Sequence, residues 1–566
     1  MVNSLVSRGK KLLMTPQSSI LSAAFVIMLM NVVSVVFGII RQRVLLGFFD
    51  KDMIGLYLAS FRLPDMVFEL FAFGMFSAAF IPVFTKLLKK DDKAAWDTAS
   101  RVANITLMIF VFFAIIFVIF ARTFYQIVTP TLDSQSLDQV VLISRILFIA
   151  QGFFVISYVL SGVLESLRRF LVPAVAPLFY NLGIILGTVF LVPEFGLLAP
   201  AVGAVIGAAI HMLIQLPLAF KLGFRFKLVF SPTEAVKKIG KLAIPRFFEL
   251  GTLQILKTAE LFFASIISVA SYTYLYLGNS LQIVPISFFA VSIAKASLPT
   301  LARQEEDPGQ FRKTFLSTFY QMMFIIIPLS AFLMVFRIPI VRLVFGTDLF
   351  DWEATVQTGM VLTFFSLGIP FQAGLVLLSR AFYAIHNTKT PVFVAVYDVI
   401  LTIILDILFV SILHLPVWSI ALANSIAGIS SFGILYYLLN KKMGDGSFFA
   451  FQPIYKIIFA ASVSASTMYI LLKLFDRSVW VKRLSFLSGI GEESALNFPN
   501  FVLDTRYTLN LFILTVMVSL IGGFLYLGIT YLLKSDELAM FFALLKRGRS
   551  AFIAKKDGEM TTLDTS

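Results

Sequence analysis

The chain has 566 residues, 59% of them hydrophobic and only 14% charged, with a mean hydropathy of +0.91. A soluble domain is nearer half apolar and a quarter charged, so a water-soluble globule is excluded and an all-α polytopic membrane protein is expected. The net charge of +14 is spread over loops, where anionic membrane lipid is the expected partner and nucleic acid is not; zero cysteines exclude disulfides, thiolate metal sites and a cysteine nucleophile.

A crossing helix needs roughly 20 mostly apolar residues. Fourteen stretches qualify, near 19 to 40, 54 to 85, 102 to 121, 140 to 163, 173 to 192, 198 to 220 and 242 to 268, then 274 to 300, 314 to 336, 357 to 379, 391 to 412, 418 to 440, 453 to 473 and 511 to 533. Lys and Arg are retained on the cytoplasmic side. With an internal N-terminus, 30 of the 46 basic residues fall in inner segments against 11 in outer ones. That places both termini of a multi-pass membrane protein in the cytoplasm. The first span, longer than a signal-peptide core, is expected to stay in the mature chain. The segment 537–556 alternates apolar clusters with basic residues and reads either as a helix lying on the inner membrane surface or as a disordered basic tail.

Charges inside spans are costly and normally face a cavity or a partner. In chain order, span 1 ends in GIIRQR with Arg41 and Arg43 at its outer end. Span 2 contains SFRLPDMVFELFAFG, in which Arg62, Asp65 and Glu69 stand around Pro64. The proline bends the helix, and a broken, charged span is a common feature of transporter sites; the alternative is an internal Arg62–Asp65 pair. Arg145 in span 4 and Glu249 in span 7 carry no motif. His211 in span 6 reads as an interhelical hydrogen-bonding group rather than a proton relay. Span 7 carries QILKTAE, with Lys257 neutralised by Glu260 at i+3 or turned to a cavity. Lys295 in span 8 has no acidic neighbour within four residues. Asp398 and Asp406 in span 11 lie about 80° apart around the helix, and capping or an interhelical hydrogen bond outweighs cation coordination there.

The chain repeats itself. SGVLESLRRFLVP from Ser161 matches SRAFYAIHNTKTP from Ser379 at an offset of 218, and FSAAFIPVFTK from Phe76 matches IAKASLPTLAR from Ile293 at 217. Six spans per repeat give two pseudo-symmetric lobes of like orientation, 1–225 and 226–443. Spans 13 and 14, 444–534, are an appendage, and 535–566 is a basic cytoplasmic tail. Arg41 and Lys257, 216 apart, become near-equivalents that face one central cavity, the alternative being that Arg41 snorkels to the outer interface. No GxxxxGK[ST] occurs, no nucleophile and base pair stands out, and His211, His386 and His414 are isolated. A transporter without cofactor or metal, rather than an enzyme, is expected.

FGIIRQRVLLGFF, then FRLPDMVFELFAFGMFSAAFIPVFTK (61–86), GVLESLRRFLVPAVAPLFYNLGII (162–185), the QLP at 215–217 and RAFYAIHNTKTP (380–391) resemble, in order, the MviN/MurJ lipid II flippases. The resemblance implies an inner-membrane flippase that carries undecaprenyl-diphosphate-linked peptidoglycan precursor to the outer leaflet by alternating access. It also implies a cationic cavity for the diphosphate, with the last two spans forming a lipid-tail groove. Arg41 matches the family's arginine in span 1, and Arg62 its basic residue before the Leu-Pro of span 2. The chain departs where the family has other charges, with Val35 in span 1, Phe68, Glu69 and Phe73 in span 2, and Asn279, Ser280 and Ile283 in span 8.

The leading reading is a lipid II flippase in which Arg41, Arg62, Lys257 and Lys295 attract the diphosphate, with Asp65, Glu69 and Glu260 completing the site. Energy would come from a coupling ion or the membrane potential, and the chain is expected to work as a monomer. The alternatives are a flippase for another lipid-linked oligosaccharide, a cation-coupled drug exporter built on acidic residues, and a non-transporting membrane scaffold.

Overall fold

The computed structural model describes residues 20–73, 80–443, 451–476 and 503–540. Most of the basic segment 537–556 lies outside the described residues. Twelve helical stretches among them are long and apolar enough to cross a membrane, and one isolated bridge, Asp476 to Leu503, is the extended pairing there.

Two compact units divide the chain. The first takes in Met1–Tyr274 together with Val344–Ala354 and Val410–Val417, and the second Leu275–Leu343, Thr355–Phe409 and Trp418–Ser566. The first unit holds α1 (Ile20–Phe48), α2 (Lys51–Ser60) and α3 (Arg62–Phe68), which runs into a π-helical turn, Glu69–Phe73. Then come α4 (Ile81–Leu88), α5 (Asp92–Val128), α6 (Ser134–Ser166), α7 (Leu171–Phe195), α8 (Ala199–Leu213), α9 (Leu216–Lys221) and α10 (Glu234–Ile267). Helices α5 and α6 overrun the membrane-length segments read from hydropathy because each starts at a polar cap. Asp91 accepts from the N–H of Ala94, and Asp133 from those of Gln135 and Ser136.

Helices α7 and α8 form a hairpin, turned at Gly196 in the left-handed region (φ 51°). Gly183 and Gly187 on one arm face Gly207 and Gly203 on the other. Small residues four apart let two membrane helices bring their backbones together. On the same unit, Val344–Ala354 docks against the start of α2. Lys51 Nζ lies 2.9 Å from Asp351 and 2.8 Å from Glu353, and Thr347 Oγ1 donates to the Leu46 carbonyl at 2.5 Å. The Ala354 N–H, and then Lys51, hold the Asp351 carboxyl below the usual carboxylate range. The contribution of this pair is therefore kept at neutral pH and lost only as pH falls through that lowered value.

The second unit contains most of α11 (Val269–Pro285), a second π-helical turn (Ile286–Ala290), α12 (Val291–Arg303), α13 (Pro308–Val335) and most of α14 (Arg337–Phe345). It continues through α15 (Trp352–Ala384), α16 (Lys389–Asp406), α17 (Trp418–Lys442), α18 (Phe451–Phe475) and α19 (Thr508–Leu532). Its core is built on Phe311, Phe315, Met322, Leu377 and Phe382, with Tyr526 of α19 packed in and donating to the Phe324 carbonyl at 2.8 Å.

Local geometry repeats at the offset seen in the sequence. The π turns begin at Glu69 and Ile286, 217 apart. The left-handed residues Arg168 and His386 are 218 apart, as are Gly196 and His414. The capping aspartates Asp91 and Asp307 stand 216 apart, and Asp133 and Asp351 stand 218 apart. Left-handed φ is unfavourable for non-glycine residues, so its recurrence at matched turns reflects a common backbone path.

Candidate substrate-binding site in the first unit

Pro64 organises the site through the hydrogen bond it cannot make. Lacking an N–H, it leaves the Ser60 carbonyl without its helical partner, and the chain breaks between α2 and α3. Tyr125 of α5, fully buried, closes the gap. Its hydroxyl donates to the Ser60 carbonyl (2.9 Å), receives the Leu63 N–H (3.3 Å) and stands 3.1 Å from Ser144 Oγ. Tyr125→Phe should destabilise the protein by about 1–3 kcal/mol, because it leaves a buried carbonyl and N–H unpaired. A thermal unfolding midpoint equal to wild type would refute that role.

The break presents Arg62, 5% exposed, to α10. Its Nε donates to Thr258 Oγ1 at 3.0 Å and an Nη to the Gln254 carbonyl at 3.2 Å, with a further short bond to Gln254 Oε1. The Gln254 amide donates in turn to Glu69, the first residue of the π turn. Lys257, one turn along α10, reaches the same carboxylate at 3.1 and 3.2 Å. A π turn carries one extra residue per turn and is frequent at functional sites; here it hands Glu69 to α10. Asp65 accepts from the Gln151 amide of α6 at 2.6 Å.

Neither local pair offered by the sequence forms. Arg62 is held by Gln254 and Thr258 instead of Asp65, and Lys257 by Glu69 instead of Glu260. Glu260 is half-buried, within the electrostatic reach of Arg62 and Lys257. Arg41 of α1 donates to Asn181 Oδ1 of α7 at 3.0 Å and lies near enough to act on the charge of Asp65. Three cations and three carboxylates thus share one region of the unit. An apolar bundle tolerates buried charge only when it is paired and hydrogen-bonded, and here Gln254, Thr258, Gln151 and Lys257 meet that need for Arg62, Asp65 and Glu69. Half of the Lys257 side chain remains accessible (47%), against 30% for Glu69.

Lys295 is an exposed residue of α12 in the second unit. His211 stands 2.6 Å from Ser157 Oγ, and Gln215 and Ser161 extend the chain between α6 and the α8–α9 arm. It is a satisfied interhelical group. Asp398 accepts from Ser431 of α17 at 2.7 Å, the interhelical bond expected for it; Asp406 is fully buried. Sequence reasoning missed the uncharged members Gln254, Thr258, Gln151 and Asn181. Gln254 and Thr258 flank Lys257 at helical spacing, so a polar stripe inside span 7 was the available signal.

Residues 47–489 match the family model described as "Lipid II flippase MurJ". A probable lipid II flippase of Thermotoga maritima is 26% identical over 518 residues, covering 90% of this chain and 95% of that protein. Its counterpart in Bdellovibrio bacteriovorus is 26% identical over 399 residues, 67% of this chain and 74% of the relative. Among solved structures, a lipid II flippase in an inward closed conformation superimposes with a TM-score of 0.70 at 21% identity, over 88% of this chain and 98% of that one. An inward-facing multidrug transporter of the MATE family gives 0.60 at 15% identity, over 72% and 94%. These superpositions establish the fold, and the family model, covering most of the sequence, establishes the family. The chain belongs to the MurJ family of lipid II flippases.

Proposed function

We propose that this protein carries lipid II from the cytoplasmic to the outer leaflet of the inner membrane by alternating access of two six-helix lobes. Its family membership makes it a transporter of lipid-linked peptidoglycan precursor. The lobes, 1–225 and 226–443, draw support from the π turns, left-handed residues and caps repeated at offsets of 216 to 218. Fourteen crossings follow if the 51-residue run Leu171–Lys221, folded back at Gly196, crosses twice and the segment 54 to 85 crosses once. An even number returns the C-terminus to the cytoplasm. Spans 13 and 14 flank the path of the polyprenyl tail, and the energy comes from a coupling ion or the membrane potential, with the chain acting as a monomer.

The observation that carries the headgroup assignment is the network Arg62–Gln254–Glu69–Lys257. Lys257 is the accessible cation, and its partner is a carboxylate, the group a phosphate oxygen can replace with the same charge-assisted geometry. The diphosphate takes the place of Glu69 on the ammonium, while buried Arg62 keeps α3 and α10 in register and supplies positive potential behind it. Arg41, which donates to the neutral Asn181, supplies a second cation.

The two partners of the exchange should respond in opposite directions. Lys257→Gln should slow lipid II flipping in proteoliposomes at least tenfold, whereas Glu69→Gln should tighten binding of a soluble diphosphate competitor by several-fold, because the competing anion is gone. Equal flipping by Lys257→Gln and wild type would remove the assignment. A parallel assay with a different polyprenyl-diphosphate glycan tests the cargo: movement of that lipid alone would replace lipid II as the substrate.

A further inference from the structure

Helices α5 and α6 diverge on the outer face of the first unit and leave an apolar groove of about 480 Å³. Its walls are large and apolar, with Val111, Ile115 and Ile119 of α5 and Ile149 of α6 all exposed. Gly152 forms the floor, where an added Cβ would meet only Phe110 at 3.9 Å. One charged residue closes one end of this groove, Arg145. Its Nε donates to the Val118 carbonyl at 3.3 Å, and its two Nη groups meet no acceptor among the described residues.

The depth of Arg145 sets the chemistry of what it can bind. Arg122 and Asp138 pair at the ends of α5 and α6, with Ser134 beside them at 3.2 Å, and mark the polar boundary of the unit. Arg145 lies seven residues inside Asp138 along α6, about 10 Å deeper at the helical rise. Helix side chains lean toward the N-terminus, so from α6 the guanidinium leans back toward that boundary, while the groove runs away from it towards Ile156 and Leu107. A donor fork just below an interface, heading a furrow one chain wide, matches a phosphodiester with an acyl chain beneath it. An unmatched guanidinium at this depth is costly, and a lipid phosphate is the anion available there.

We infer that this groove binds an anionic glycerophospholipid, its phosphate on Arg145 and one acyl chain between α5 and α6. The lipid belongs to the leaflet at the N-terminal end of α6, which is the outer one in the orientation proposed above. The site shares no residue with the diphosphate network, so it is a bound membrane lipid and no part of the cargo path.

Native mass spectrometry of detergent-purified protein titrated with dioleoylphosphatidylglycerol or dioleoylphosphatidylcholine tests it. Arg145→Gln should weaken phosphatidylglycerol binding about tenfold, the size of one lost charge-assisted hydrogen bond, and phosphatidylcholine binding less, because the choline cation offsets the charge of its phosphate. Arg122→Gln, at the boundary but outside the groove, should bind like wild type. Gly152→Leu, which fills the floor, should weaken phosphatidylglycerol as Arg145→Gln does; if that variant does not fold, Arg145→Gln decides alone. Wild-type phosphatidylglycerol binding by Arg145→Gln, an equal loss in Arg122→Gln, or full binding by folded Gly152→Leu would each overturn the proposal. None of these readouts depends on lipid II flipping, so the inference and the functional proposal fail separately.

Discussion

Arg62→Met should reduce flipping to the protein-free background and lower the thermal midpoint in detergent, the largest loss expected from any single charge in the first unit. Three effects add. The Gln254 side chain and Thr258 lose the donor that organises them. Asp65 and Glu260 lose a cation that balances their charge. The hold between α3 and α10 goes as well. Removing one partner from a buried charged network costs about 3–5 kcal/mol, much of it from the charges left behind. Arg62→Lys separates charge from geometry. It restores the positive potential but not the fork that spans Gln254 and Thr258 at once, so it should recover much of the stability and little of the flipping. If Arg62→Lys flips as well as wild type, Arg62 acts through charge alone and its register role is wrong.

How much of this was legible beforehand follows from the kind of signal each residue leaves. The spans were visible because a bilayer demands long apolar runs, and the break in span 2 because proline lacks a donor. The repeated segment was visible at Ser161 and Ser379, and left-handed residues recur at the same offset, at Arg168 and His386. Candidate charges were visible because charge is rare in such a chain, and Arg62, Glu69 and Lys257 do share one hydrogen-bonded network, with Asp65 within their electrostatic reach. Their partners were not. Sequence offers only neighbours along a helix, whereas Glu69 meets Lys257 across 188 residues, through a π turn with no sequence signature of its own. Amides escaped notice because Gln254, Gln151 and Asn181 resemble dozens of other uncharged polar residues until the fold sets them beside a charge.

Gly203→Leu should prevent the protein from accumulating as a monodisperse species, although position 203 lies far in sequence from every charge of the site. A Cβ there would overlap the Gly183 carbonyl oxygen and lie 3.0 Å from Gly187 Cα and 3.1 Å from Ile184 Cα. These are backbone atoms of α7 and cannot escape by changing rotamer, so the arms of the hairpin must separate. Overpacking a tight core costs about 1–3 kcal/mol even where side chains can yield, and here they cannot; Gly203→Ala should already be measurably destabilised. Gly433 in α17, with open space around its Cα, is the control. Gly433→Ala should be neutral or stabilising by up to about 1 kcal/mol, since it removes only glycine's helix penalty. Asn181, which holds Arg41, sits two residues before Gly183 on the same arm. Any Gly203→Ala protein that does fold should therefore flip lipid II more slowly than its thermal midpoint alone accounts for, whereas Gly433→Ala should flip at the wild-type rate. Equal thermal midpoints for Gly203→Ala and wild type would mean that the two arms are not in the tight contact that places Asn181 against Arg41.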